Sequence, residues 1–474
     1  MKRLLALAAL ALPMLVSIAI ADEPKERSEI PAQYKWDLSS MYATREAWDA
    51  DREKFESMLP EIAEFRGHLG DGGETLLSAI KKIEEVSQIA VNLFVYAGLS
   101  SFEDLRVGEN SARFSEAQTL YARLGEETAF FGPELLSIPE EKLASMIDDT
   151  WGLHIYRHSI DETLRLRQYT LSESEEKILA AASDPLGKFG STFTALNNAD
   201  MKFGEMTDEE GNTVELTKAR YGTFIFSTNR QVREDAWKGL HSEYEKVGNT
   251  LAANYEGHIK ARAFLAKTRG YDSRLQAATY GSAIPEEVYT NLIRVSHEGA
   301  RHLQRYLELR KKALGVETLE VWDLYAPLVE PTMKDIAWED AKKIVAEALQ
   351  PLGEDYLALY WKGFDEGWVD VYETVGKRGG AFSWGTYSSK PYLSMNYNGT
   401  LSDVSTLAHE YGHSIHSYLT RNTQPYVYGN YRTFIAEVAS MTNEAILYQK
   451  MLKEAKSRQE KIYLLQTYLD QFRG

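Results

Sequence analysis

From about residue 40 to residue 180, apolar side chains recur every three or four positions, and no glycine–serine or proline-rich linker interrupts the pattern. In "ETLLSAIKKIEEVSQIAVNLFVYAGLSS" this period gathers the apolar positions on one face, so the stretch is helical rather than extended. The period returns over 218–374, as in "IPEEVYTNLIRVSHEGARHLQRYLELRKKALG", which opens with Pro285 in a first-turn position. Only 13 prolines in 474 residues leave long helices few breakers. The chain is read as mainly α, long enough for two or three domains or one large helical one.

Three segments punctuate the helices. "LSESEEKILAAAS" at 171–183 places Ser172 three before Glu175, a capping box that starts a helix. "NNADMKFGEMTDEEGNTVELT" at 197–217 alternates apolar residues around Gly204 and Gly211 and is read as a hairpin. It divides an N-terminal helical domain, 22–200, from a second domain, 201–474. "GKRGGAFSWGTYSSKPYLSMNYNGT" at 376–400 predicts two short strands, about 381–387 and 391–398. Its glycines lack the GxxxxGK[ST] spacing of a phosphate loop and are read as turns.

Lys2 and Arg3 precede "LLALAALALPMLVSIAIA", which ends in Ala19-Ile20-Ala21 before Asp22. A basic head, an apolar run and a small-x-small end predict a cleavable signal peptide, 1–21, and an exported protein, periplasmic or secreted. The alternative is an uncleaved N-terminal membrane anchor; Pro13 and the A-x-A end favour cleavage, after which no stable membrane association is expected. The chain has no cysteine, so disulfides, a thiolate nucleophile and sulfur ligands are excluded, and any metal must rest on His, Asp or Glu. A net charge of −17 spread along the chain argues against nucleic acid.

"STLAHEYGHSIHSY" at 405–418 contains an HExxH. On a helix His409 and His413 differ by about 40° in direction and about 6 Å in height, so both imidazoles can face one ion. Glu410, about 100° round, stands beside such an ion, where a general base takes a proton from metal-activated water. Two other histidine pairs serve as controls. His297 and His302 are five apart and cannot share an ion on a helix; His154 and His158 have Ile155 where a base is needed. His416 rises about 10.5 Å above His409, too far to be the third ligand, and is read as a nearby hydrogen-bonding group. The HExxHxxGxxH continuation is absent.

After a loop containing Pro425 and Gly429, "FIAEVASMTNEAILYQKML" forms a second amphipathic helix that can fold back on the first. Its stripe carries Glu437, flanked by the small Ala436 and Ala439, and Glu444 seven residues on. Glu437 is assigned as third ligand and Glu444 as the carboxylate that orients a ligating histidine. Two imidazoles and one carboxylate suit one Zn²⁺ with a fourth position open for water, a hydrolytic site.

These segments, with "YKWDLSSMY", "RGYDSRLQAA", "GKRGGAFSWG" and "KPYLSMNYNGTLSDVSTLAHE", resemble the oligoendopeptidase F family of zinc metallopeptidases, related to thimet oligopeptidase. The resemblance runs from about residue 30 to the end. It implies a large helical metallopeptidase with a deep substrate channel and a small β-sheet beside the zinc helix, cutting short oligopeptides internally. Zinc then falls on His409, His413 and Glu437, with Glu410 as general base and acid, and the second domain is catalytic. The strand "YLSMNYN" would border the cleft, where Ser394, Met395, Asn396 and Tyr397 could meet an extended peptide; core packing is the competing role. The text stops within an amphipathic helix, "QEKIYLLQTYLDQFRG", whereas the family continues and supplies oxyanion-stabilising His and Tyr from that region. The expectation is a catalytic domain incomplete at its C-terminus; the alternative to an active enzyme is a catalytically impaired or non-catalytic zinc-containing peptide-binding protein.

Overall fold

The computed structural model describes residues 25–333 and 335–474; the leader read at 1–21 lies outside them. The first third is helical. Helices α1 (Arg45–Met58), α2 (Gly73–Glu103), α3 (Gly108–Thr128), α4 (Phe131–Ser137), α5 (Glu140–Asp149) and α6 (Arg157–Arg165) surround one core. The three-and-four spacing of α2 explains its position: Leu76, Leu77, Ile80, Val86, Ile89, Ala90, Leu93 and Ala97 are buried along it.

Helix α7 (Glu173–Ala195) starts with the expected Ser172–Glu175 capping box. Strands β1 (Glu205–Thr207) and β2 (Thr213–Glu215) form the antiparallel hairpin read from the sequence. Then follow α8 (Lys218–Ile225), α9 (Arg230–Lys246), α10 (Gly248–Thr268), α11 (Arg274–Thr279) and α12 (Glu286–Leu314). Pro285 stands one place earlier than expected, as the N-cap of α12. His297 and His302 lie exposed on that helix, and His154 and His158 are likewise exposed.

The last third holds α13 (Trp338–Ala348), α14 (Glu354–Asp365), strands β3 (Val369–Asp370), β4 (Phe382–Trp384) and β5 (Tyr392–Ser394), and helices α15 (Leu401–Thr423), α16 (Thr433–Glu454) and α17 (Arg458–Arg473). The sheet order is β3-β5-β4, with β5 central, parallel to β3 and antiparallel to β4. The two strands expected at 381–387 and 391–398 are thus shorter, and β3 was not foreseen. A second core of Trp338, Tyr360, Trp368, Leu393, Leu407, Tyr411, Ile415 and Leu447 joins the sheet to α15 and α16.

The two cores meet at the sheet. Gly98 of α2 faces Trp384 of β4, where a β-carbon would come 2.8 Å from the indole. The segment before α1 runs along the sheet, with Val371 N–H donating to the Tyr34 carbonyl and Asp37 N–H to the Gly367 carbonyl. Arg27 pairs with Asp370 at 2.6 Å and with Glu103 at 2.8 Å, while Lys377 pairs with Asp370 at 2.7 Å. Among the described residues no helix is long and apolar enough to cross a membrane.

Candidate metal centre

Helix α15 is started by a capping box, Thr400 with Asp403, and buries Leu401, Val404, Leu407, Ala408, Tyr411 and Ile415 on one side. That burial fixes its rotation and turns His409 and His413 toward α16. Their Nε2 atoms are 3.2 Å apart, and Glu437 Oε2 of α16 lies 3.3 Å from each. The three atoms make a nearly equilateral triangle. Bonds of about 2.0–2.1 Å in a tetrahedral zinc site require ligand atoms about 3.3–3.4 Å apart, so the donor set fits zinc in both chemistry and spacing. Among the described residues, this is the group of three that can hold an ion.

The approach of the helices makes the triangle possible. A β-carbon on Gly412 would lie 2.5 Å from the Ser440 α-carbon and 2.7 Å from its nitrogen, so the HExxH glycine is a packing requirement. Asn443, buried on α16, donates to the Ala408 carbonyl at 2.9 Å, one residue before His409, and also meets the Tyr356 hydroxyl.

Helix α16 also contacts the far sides of the two imidazoles. Glu444 Oε1 stands 3.4 Å from His409 Nδ1 and accepts from Ser405 at 3.3 Å. Glu444 raises the pKa of His409 above its ordinary value, against the effect of burial. His413 lies against the Ala436 carbonyl, yet burial lowers its pKa and favours the neutral form. Ser440 donates to Glu437 Oε2 at 2.8 Å. Sequence reasoning passed over Ser440 and Asn443, because a serine or asparagine on an amphipathic helix reads as solvated surface. The near-coincidence of Ser440 with the small-residue stripe of Ala436 and Ala439 was the available signal.

Glu410 is 6% exposed, and its Oε2 is buried without a hydrogen-bond partner among the described residues. Burial pushes its pKa up to about 7, with the carboxylates of Glu437 and Glu444 adding to the rise against the opposing effect of His409. A carboxylate poised there can both take and return a proton near neutral pH. The His416 ring stacks on Tyr431 at 3.8 Å and 11°, and its buried Nδ1 has no hydrogen-bond partner among the described residues.

The reading of Ser394, Met395, Asn396 and Tyr397 as a peptide-pairing edge is corrected. β5 is paired on both sides, and Ser394, Met395 and Tyr397 are buried. Asn396 donates to the carbonyls of Arg378 and Gly380. The open edge is β4. Leu393 and Met395 donate toward β3, so Tyr392 and Ser394 pair with Trp384 and Phe382. This parity turns the Ser383 N–H and C=O outward. Ser383 Oγ meets Ser414 Oγ of α15 at 2.8 Å, tying that edge to the metal helix.

Comparison with known proteins gives a consistent picture. Residues 224–474 match the model of peptidase family M3, and residues 134–203 that of oligopeptidase F. The chain is 38% identical over 462 residues to oligopeptidase PepF of Bacillus subtilis, covering 96% of this chain and 69% of that protein. It is 39% identical over 451 residues to the plasmid oligoendopeptidase F of Lactococcus lactis subsp. cremoris, covering 95% and 75%. The crystal structure of oligoendopeptidase-F from Enterococcus faecium superposes with a TM-score of 0.68 at 32% identity, covering 90% of this chain and 71% of that one.

Proposed function

The chain belongs to peptidase family M3 and is a metallopeptidase, and from this premise we propose that it is a zinc-dependent endopeptidase cutting internal bonds of short oligopeptides. The observation that carries the metal reading is the triangle of His409 Nε2, His413 Nε2 and Glu437 Oε2, with sides of 3.2, 3.3 and 3.3 Å. Zinc bound there would supply Lewis acidity, polarising the scissile carbonyl and making water a better nucleophile.

The protein's own groups do the rest. Glu410, adjacent in sequence to the first ligand and largely dehydrated, takes the proton of the attacking water and hands it to the leaving amine nitrogen. The outward N–H and C=O of Ser383 offer an extended peptide one rung of a β-ladder beside the metal helix. Glu444 and the Ala436 carbonyl hold the two imidazoles so that their Nε2 atoms converge where a metal ion would be bound.

Glu410→Gln tests this. The variant is expected to bind zinc as the parent does while cleavage of an internally quenched peptide blocked at both ends falls by at least about 10²-fold. Equal cleavage by parent and variant overturns the role of Glu410. A parent that retains zinc and binds the peptide without cutting it makes the chain a binding protein.

A further inference from the structure

Glu437 is the weakest-held of the three donors. Its side chain is 54% exposed, whereas those of His409 and His413 are 25% and 17% exposed. A carboxylate with that freedom samples several rotamers unless something fixes it. Ser440, one turn further along α16 and fully buried, donates to Glu437 Oε2 at 2.8 Å. The same oxygen stands between the two imidazoles.

We propose that Ser440 is a positioning residue that fixes the metal-facing oxygen of Glu437 and thereby sets the affinity of the site for zinc. Ser440 itself cannot drift, because its N and Cα abut Gly412 in the middle of the HExxH turn. The hydroxyl is therefore referenced to α15, and the oxygen it holds is referenced to the histidines of the same helix. Serine on a helix often only bonds its own preceding carbonyl, and Oγ does lie 3.1 Å from the Glu437 carbonyl. The carboxylate contact is shorter and charge-assisted, which makes it the preferred acceptor. Donating to the carboxylate makes it slightly less basic, which alone would loosen the ion; ordering an exposed side chain is the larger effect.

The inference rests on the zinc reading, and the test separates the two. Zinc dissociation constants are measured by chelator competition on the full chain for the parent, Ser440→Ala, Glu437→Gln and the double variant. Visible spectra of the Co²⁺-substituted forms and melting of the metal-free forms accompany them. Ser440→Ala is expected to weaken zinc binding about 10- to 100-fold and to alter the Co²⁺ bands, with metal-free melting unchanged. In the Glu437→Gln background the same substitution is expected to have no further effect. Zinc binding within twofold of the parent, tighter binding, or an equal loss in both backgrounds overturns the proposal. A parent that binds no zinc overturns the metal reading itself. Should the alanine variant fail to fold, Ser440→Gly, which removes the Cβ as well as the hydroxyl and loosens the helix backbone, replaces it, with its metal-free melting measured alongside.

Discussion

The backbones of Gly412 and Ser440 touch, leaving no room for a β-carbon on the glycine, which would come 2.5 Å from the serine α-carbon. Helices α15 and α16 are held at one separation by this contact, and the three candidate metal donors, His409, His413 and Glu437, are split across it. Gly412→Ala is expected to destabilise the chain by about 1–3 kcal/mol through overpacking. It should also lower zinc occupancy, since the helices must part. Melting and zinc content on the same sample check both effects.

The histidines of the motif should separate cleanly. His413→Ala removes a corner of the donor triangle and is expected to abolish stoichiometric zinc after dialysis. His416→Ala removes a ring stacked on Tyr431 and should leave zinc stoichiometry intact while lowering the melting temperature. Loss of zinc from the His416 variant would contradict its placement away from the ion.

Glu444→Gln keeps the shape but removes the charge facing His409 Nδ1. Zinc affinity is expected to fall about 10- to 100-fold, with the fold retained. Chelator competition with circular dichroism measures both.

The open edge of β4 gives a backbone test. Ser383→Pro deletes the one N–H that faces outward, a position where proline is tolerated on an edge strand. The Michaelis constant should rise about 2- to 10-fold, the value of one hydrogen bond, with zinc retained. Ser383→Ala, which loses only the contact to Ser414, is the control and should leave the Michaelis constant near the parent value.

Acid sensitivity should trace partly to Asp370. Burial alone would raise its pKa, but Lys377 and Arg27 outweigh burial and hold the carboxyl below its ordinary value. A depressed folded pKa contributes stability above the unfolded value of about 3.9, and that contribution is lost as pH falls through the folded one. Melting of the parent should therefore drop below about pH 4. Asp370→Asn should lower melting at neutral pH and flatten the acid limb.

Much of the site could be read before the fold was known, because helical spacing is a local property. His409, His413 and Glu410 follow from a single turn, and Glu437 from the amphipathic stripe of the next helix. Strand β3 could not be read, since two residues carry no period and Val369–Asp370 pair in parallel with a strand beyond β4. That missing strand is why β5 looked like an edge and is instead the middle. Arg27, Glu103, Asp370 and Lys377 carry no sequence pattern that links them, and only the fold brings them together. The stacking of His416 on Tyr431 is likewise visible only in the fold.

The segment that precedes α1 has a consequence for how the protein is made. Ser40 bonds Tyr392 across 352 residues of sequence, and Lys25, Tyr34 and Asp37 share backbone bonds with the 367–375 stretch. A chain emerging from the ribosome must keep that opening stretch unpaired until the sheet has been synthesised, which makes these contacts costly in loop closure and slow to form. The first helices can collapse on their own core meanwhile. The candidate donors sit on helices packed against that sheet, so in refolding experiments uptake of the proposed zinc should lag behind the recovery of helix.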